Sequence, residues 1–215
     1  MPLSQTNCKQ IFKEAYENRY TWPKNFLGYK GKCIAFLKDQ KFKGDFVVGK
    51  NLKPEIKNIS DDYVEKVIGS QLFEVVIHRI RRSFDETHSK NDFCFETNTK
   101  EGIQMIVSGK NEGDRYRVKD RAINMVYRRM HGIIIEIFVE KFIDTSNGLL
   151  SQKYSSIQLD QETLQPISQK LYYEDQFLNI DSDFWVLSSR TINCIDQSNE
   201  EREEKFIFEE ISLLS

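Results

Sequence analysis

Glycine and proline are scarce in this chain, ten and four in 215 residues. That leaves no room for a collagenous, linker-like or low-complexity segment. Long apolar runs are missing as well. The longest, Ile133-Ile134-Ile135, is interrupted by Glu136, far short of the roughly 20 residues a membrane span needs, so no transmembrane segment is expected. The opening Met1-Pro2-Leu3-Ser4-Gln5 has neither a basic n-region nor an apolar h-region, and no export signal is read there. The four cysteines, Cys8, Cys33, Cys94 and Cys194, lie far apart and form no C-x-x-C pair. A zinc knuckle and a thioredoxin-like site are therefore excluded. Each cysteine sits among apolar neighbours, as reduced, buried thiols do, and a cytoplasmic location is expected. Enzyme signatures are absent too: no G-x-S-x-G elbow, no H-E-x-x-H, no phosphate loop, no dinucleotide fingerprint. The sequence names no cofactor. An enzyme with a scattered, motif-free site stays open.

What is present describes a folded chain. Hydrophobic residues make up 39% and aromatics 12%, enough for a core and too much for disorder; residues 1–215 are expected to form one domain. Net charge is -2, but it is unevenly spread: residues 1–110 carry 19 Lys+Arg against 14 Asp+Glu, residues 111–215 carry 12 against 19. The basic excess between Lys9 and Lys57 is scattered, and with a pI near 6.0 nucleic acid is not an expected partner. Lysines guarding a strand edge account for it better.

Hydropathy period gives the elements. Thr6 or Asn7 caps a first helix to about Tyr20, ended by Trp22-Pro23. Strands follow at 29–37 and 41–48, the second alternating Phe42, Phe46 and Val48 against Lys41, Lys43 and Asp45. Residues 61–88 read as one long helix with an apolar stripe of Leu72, Phe73, Val76, Ile77, Ile80 and Phe84. Glu74, His78, Arg81, Asp85 and His88 fall opposite. Beyond it, strands are expected at 93–97, 102–108, 115–119, 122–129, 132–143, 149–159, 171–177, 184–195 and 205–211. Turn signals separate them, at 109–111, 119–120, Asn147-Gly148 and 179–183. Strands that succeed one another without helices pair antiparallel, and a sheet of about nine to eleven strands curls. The fold class expected is α+β: a strongly bent antiparallel sheet, an incomplete barrel, plugged by the long helix with the N-terminal helix alongside.

Several stretches carry a resemblance. They are Glu14-Ala15-Tyr16-Glu17-Asn18-Arg19-Tyr20-Thr21-Trp22, Ile77-His78-Arg79-Ile80-Arg81-Arg82-Ser83-Phe84-Asp85-Glu86-Thr87-His88, Val107-Ser108-Gly109-Lys110, Gly113-Asp114-Arg115-Tyr116 and Ser188-Ser189-Arg190-Thr191-Ile192. Together they resemble a family of cyanobacterial and plastid proteins that has no assigned reaction, cofactor or catalytic residue. The resemblance covers essentially the whole chain and implies a photosynthetic host and a cytosolic or stromal setting. At the level of fold, the expected architecture is also similar to the half-barrel of bacterial lipoprotein carriers, which bind acyl chains; this chain departs from them in lacking an export signal.

Four constellations deserve weighing. Glu74, His78, Arg81, Asp85 and His88 offer metal-type ligands, but His78 and His88 stand about 15 Å apart along a helix and cannot share an ion. Surface pairs Arg81–Asp85 and Arg82–Glu86 are the favoured reading, with no metal. Second, His78, Arg79, Arg81 and Arg82 on the helix and Tyr127, Arg128, Arg129 and His131 at a strand end converge if the helix crosses the sheet. Guanidinium forks recognise carboxylate or phosphate, which suits a lipid head group, a porphyrin propionate or a phosphorylated metabolite; the competing reading pairs Arg79 or Arg82 with Glu136. Third, Arg190 shares a strand face with Val186 and Ile192, so it is either paired with Asp175 or Glu174 or serves as an anion anchor. Fourth, Tyr16, Tyr20, Trp22, Phe26 and Tyr29 cement a helix to a sheet edge. The function expected is a non-catalytic binding protein. It holds an amphipathic or anionic small molecule, lipid- or pigment-like, between helix and bent sheet, through His78, Arg79, Arg82, Arg128, Arg129, His131 and Arg190. The alternative is a protein-interaction or assembly factor linked to the photosynthetic apparatus, with a protein partner.

Overall fold

The computed structural model describes residues 5–181, 184–195 and 200–214. The side chain of the expected cap Thr6 and residues 182–183 of an expected turn lie outside that description. In chain order the elements are α1 (Gln5–Glu17), β1 (Tyr29–Leu37), β2 (Gln40–Val48), β3 (Pro54–Lys57), α2 (Asp62–Arg79), α3 (Phe84–His88), β4 (Asn91–Thr99), β5 (Gly102–Gly109), β6 (Arg115–Lys119), β7 (Ala122–Met130), β8 (Ile133–Thr145), β9 (Gly148–Asp160), β10 (Leu171–Ile180), β11 (Phe184–Ile195) and β12 (Glu201–Leu213). The strands are hydrogen-bonded in the order β3-β2-β1-β12-β11-β10-β9-β8-β7-β6-β5-β4, with β3 and β4 as ends, so the sheet is not closed. Each pair whose register is described is antiparallel. No described helix is long and apolar enough to cross a membrane.

Twelve strands exceed the number expected because β3 was not foreseen. It has four residues and begins with Pro54, a pattern that reads as loop and is tolerated only at a sheet edge. The first helix stops at Glu17 rather than Tyr20. The backbone of 18–20 turns to pair with β9 instead, Tyr20 N–H donating to Leu149 O at 2.9 Å and Leu149 N–H to Asn18 O at 2.7 Å.

The long helix expected over 61–88 is two helices. Ile80 leaves helical angles (φ -67, ψ 123) and closes α2. Ser83 then opens α3 with a capping box: its hydroxyl accepts from Glu86 N–H at 3.2 Å and Glu86 Oε2 accepts from Ser83 N–H at 2.7 Å. Neither proline nor glycine marks the break. The i,i+4 pairs Arg81–Asp85 and Arg82–Glu86 drawn on a continuous helix are lost with it; Asp85 faces Lys13 instead, at 3.7 Å. Nor is α2 sharply two-faced. Val64, Ile68, Leu72, Val75 and Val76 are buried, while Phe73 and Ile77, expected in the apolar stripe, are exposed.

The chain divides into two compact units: 1–20, 82–172 and 194–196 form the first, 21–81, 173–193 and 197–215 the second. In the first, α1 and α3 pack on one face of the strands. Phe12 stacks on Phe93 at 4.4 Å and lies 4.6 Å from Tyr116, within a core that includes Cys8, Ala15, Phe84, Met105, Val107 and Val118. In the second, α2 packs on β3, and Trp22 stacks on Phe26 at 4.3 Å beside Tyr29, Phe46 and Phe208.

Candidate functional site

The second unit contains Arg190, and its guanidinium is fully engaged. It is 1% exposed. Nε and Nη2 each donate to an oxygen of Asp175 at 2.8 Å, Nη1 reaches Glu74 Oε2 at 2.9 Å and Gln71 Oε1 at 3.1 Å, and the group lies 5.3 Å over the Tyr173 ring. A guanidinium spent on three side-chain acceptors ties α2 to β10 and β11 and leaves no fork for a ligand. Arg79 is buried against the Phe177 ring at 5.5 Å, and its carbonyl accepts from Trp22 N–H at 2.8 Å. His78, on the same helix, is exposed. These three belong to the second unit, whereas Arg82, Arg128, Arg129 and His131 belong to the first.

In the first unit Arg82 is exposed ahead of α3, and His131 sits in the β7–β8 turn with a positive φ of 53. Arg129 donates its backbone N–H to Asp114 Oδ1 at 2.9 Å, and its side chain lies over Gly113. Arg128 is the member of the expected set that borders a cluster of buried polar groups. Directly opposed partners in an antiparallel pair share a sheet face, so Tyr116 of β6, Val126 of β7 and Ile137 of β8 lie in one row on the α1 side. Arg128 follows Val126 on that face, opposite Ile135.

The cluster is built from the end of α3 and the turns around it. His88 and Asn91 are nearly inaccessible, as is Asp114. Asn91 Oδ1 accepts from Asn111 N–H at 3.1 Å, which fixes the amide so that Nδ2 donates to His88 Nδ1 at 3.0 Å. The imidazole is thereby held with its proton on Nε2. Burial pushes the His88 pKa down to about 4, and the charges of Arg19, Arg128 and Lys110 push the same way. Burial pushes the Asp114 carboxyl up despite the Arg129 N–H and the nearby Arg128, and it pushes the Tyr116 hydroxyl up as well. Around these buried groups stand cations. Arg19 is fixed by Nε donating to Tyr16 O at 2.8 Å and by stacking 3.7 Å over the Tyr16 ring. Among the described residues no carboxylate lies within ion-pairing distance of Arg19 or Arg128. Lys32 and Arg115, by contrast, are paired with Glu210 and Glu96.

An apolar row leads away from the cluster. Ile133, Ile135, Ile137 and Val139 of β8 are half-buried on the face that α1 covers further along. Gln158, Ser156 and Tyr154 of β9 oppose the last three. Convergent groups with displaced pKa values beside an apolar surface are what a binding site looks like physically. No described cluster of three His, Cys, Asp or Glu side chains is arranged to hold a metal ion.

Arg19, Asp114 and Tyr116 escaped the reading of the sequence as site residues. Arg19 fell on the apolar spacing of the first helix, and Asp114 stands in a Gly-Asp turn where an acid is ordinary. His88 was placed on an exposed helix face, and only the break at Ser83 turns it inward. A sequence signal did exist, the capping box at Ser83 and Glu86.

No curated protein matches the chain. Among solved structures it is similar to a domain from Vibrio parahaemolyticus named for outer membrane lipoprotein sorting, at 5% identity and a TM-score of 0.34 over 98% of this chain and 93% of that one. It is similar to a LolA superfamily protein from Nitrosomonas europaea at 10% identity and 0.31 over 97% and 94%, and to a DUF1329 family protein from Desulfovibrio piger at 8% and 0.30 over 96% and 92%. Residues 3–214 match the family described as protein of unknown function (DUF3386), and the protein belongs to that family.

Proposed function

We infer that the first unit is a non-catalytic binding site for an amphipathic anion, lipid- or pigment-like. The anionic end sits at Arg128 and Arg19, and the apolar end lies along Ile135, Ile137 and Val139. One observation carries the reading: Arg128, without a carboxylate partner among the described residues, lies on the sheet face of a half-buried apolar row, and Arg19, likewise without one, is stacked on Tyr16 of α1, the helix that packs on that face. Register shifts that place an extra residue in β4, β7 and β8 support a hollow there, since bulges bend and twist the strand that carries them. In this reading His88, Asp114 and Tyr116 form the polar floor, and Arg190 is structural.

Titration of the purified protein with 8-anilinonaphthalene-1-sulfonate, an aromatic anion, tests it. Arg128→Gln is expected to weaken binding about 10- to 100-fold, the worth of one charge-assisted contact, and Ile137→Asp to weaken it as much by spoiling the apolar row. Affinity unchanged by either substitution removes the site. A second reading, a protein-docking role, is supported by exposed Phe73 and Ile77 on α2. It predicts that Phe73→Asp with Ile77→Asp abolishes a stoichiometric complex without touching dye binding.

A further inference from the structure

Counting charges and acceptors at this site narrows the chemistry of what it holds; the inference rests on the binding reading above. Three cations stand around the His88 cluster: Arg19 is stacked on Tyr16, whose ring is 5.0 Å from that of His88; exposed Lys110 precedes Asn111, which is bonded to the Asn91 amide that holds His88; and exposed Arg128 precedes Arg129, whose N–H is bonded to Asp114. Asp114 is the one carboxyl group within the cluster, and both its oxygens are engaged, Oδ1 by Arg129 N–H at 2.9 Å and Oδ2 by the Tyr116 hydroxyl at 3.5 Å. Arg19 has used Nε on the Tyr16 carbonyl, so its two terminal amino groups remain for an anion, already oriented by the stack on Tyr16. Arg128 is held in register by β8 on one side and, through the neighbouring Arg129 N–H, by Asp114. The buried imidazole adds a donor: its Nδ1 accepts from Asn91, which leaves Nε2–H without an acceptor among the described residues.

A carboxylate has two oxygens and one charge. One guanidinium fork satisfies it, and the second guanidinium and the lysine then gain little. A phosphate monoester carries about -1.5 to -2 charges at neutral pH and three acceptor oxygens, which matches two forks and an ammonium. The apolar row along Ile135, Ile137 and Val139 then meets the ester's organic chain.

We propose that the site between α1, α3 and β7 selects a phosphate monoester on an apolar chain over the corresponding carboxylate, with Arg19 and Arg128 as the selecting residues.

Isothermal titration of the full chain at pH 7.5 with decyl phosphate, decanoate and inorganic phosphate, the alkyl compounds below their micelle concentrations, decides it. Decyl phosphate is expected to bind at least about tenfold tighter than decanoate. Arg19→Gln and Arg128→Gln are each expected to erase that preference while the thermal midpoint stays in place; Arg128→Lys restores part of it if Arg128→Gln proves unstable. Equal affinity for the two alkyl compounds overturns the proposal and leaves the amphipathic-anion reading standing. Inorganic phosphate binding as tightly as decyl phosphate does the reverse: it keeps the head-group preference and removes the amphipathic ligand. No binding of any of the three overturns both.

Discussion

Replacing Arg190 with methionine should cost the second unit most of its margin of stability. The side chains of Arg190 and Asp175 are 1% and 3% exposed and meet through two bonds of 2.8 Å; Glu74, half exposed, and Gln71 complete the set. A buried pair broken on one side leaves an ion in a medium that solvates it poorly, and such breaks cost about 3–5 kcal/mol. Removing both partners is a different experiment. Arg190→Met with Asp175→Leu deletes the uncompensated charge, and buried pairs replaced by apolar groups of similar volume are often neutral, so the double variant should recover to within about 1 kcal/mol. At about 2–4 °C per kcal/mol for a chain of this size, the single variant melts about 6–20 °C lower. Urea unfolding followed by tryptophan fluorescence is a suitable assay, because Trp22 and Trp185 both belong to the second unit and are joined by a 3.0 Å bond from the Trp22 indole to the Trp185 carbonyl. A loss below about 1 kcal/mol for Arg190→Met, or a double variant no better than the single, refutes the claim that this network holds α2 in place.

Other outcomes follow from the same geometry. Since the folded-state pKa of His88 is depressed to about 4 from an ordinary 6.5, the unfolded chain takes up the proton first. Its contribution is whole above pH 6.5 and is lost as pH falls toward 4, a total of about 3 kcal/mol that the raised Asp114 carboxyl partly offsets; urea midpoints of His88→Gln should fall less steeply over that range than those of the parent. Ser83→Ala removes the α3 cap and should cost about 1 kcal/mol, read as a lower melting temperature; an unchanged one means the capping box is idle. Tyr29 carries a buried hydroxyl with no hydrogen-bond partner among the described residues, so Tyr29→Phe should be neutral or stabilising by up to about 1 kcal/mol, and a clear loss in urea unfolding argues that the hydroxyl has an acceptor. Gly148 has φ +122, and a Cβ there meets the Asn18 carbonyl oxygen at 2.7 Å; Gly148→Ala, which stabilises by up to about 1 kcal/mol where the backbone suits alanine, should here destabilise by more than that amount, as judged by melting temperature.

The strands other than β3 were legible from turn signals and from alternation such as that of β6, and β1, β6 and β11 begin and end where expected. Helix 61–88 was misread for an instructive reason. Its apolar residues recur at helical spacing straight through Ile80 and Phe84, so periodicity alone cannot see a break. The break is local chemistry: the Ser83 hydroxyl accepts from Glu86 N–H and the Glu86 carboxylate from Ser83 N–H, which recovers two of the backbone donors that a new helix start leaves without a partner. Phe73 and Ile77 show the converse failure. They fit the stripe by spacing, yet α2 buries Gln71 and Arg79 along with its aliphatic residues, because Arg190 and Phe177 await those polar and cationic side chains on the strands.

The candidate site was harder still, since its charge pattern depends on which arginines the fold has already spent. From sequence, Arg190, Arg79 and Arg128 are equivalent guanidinium groups near apolar residues. Asp175 and Glu74 consume the first and Phe177 covers the second. Exposed Arg128 has no carboxylate partner among the described residues, and its neighbours on the sheet face are Val126, Met130 and Ile135. A strand register shifted by one residue would move Arg128 to the opposite face and put Arg129 or Tyr127 in its place. What singles out Arg128 is therefore the β7–β8 pairing itself, and a substitution that slips this hairpin should abolish dye binding even with every arginine intact.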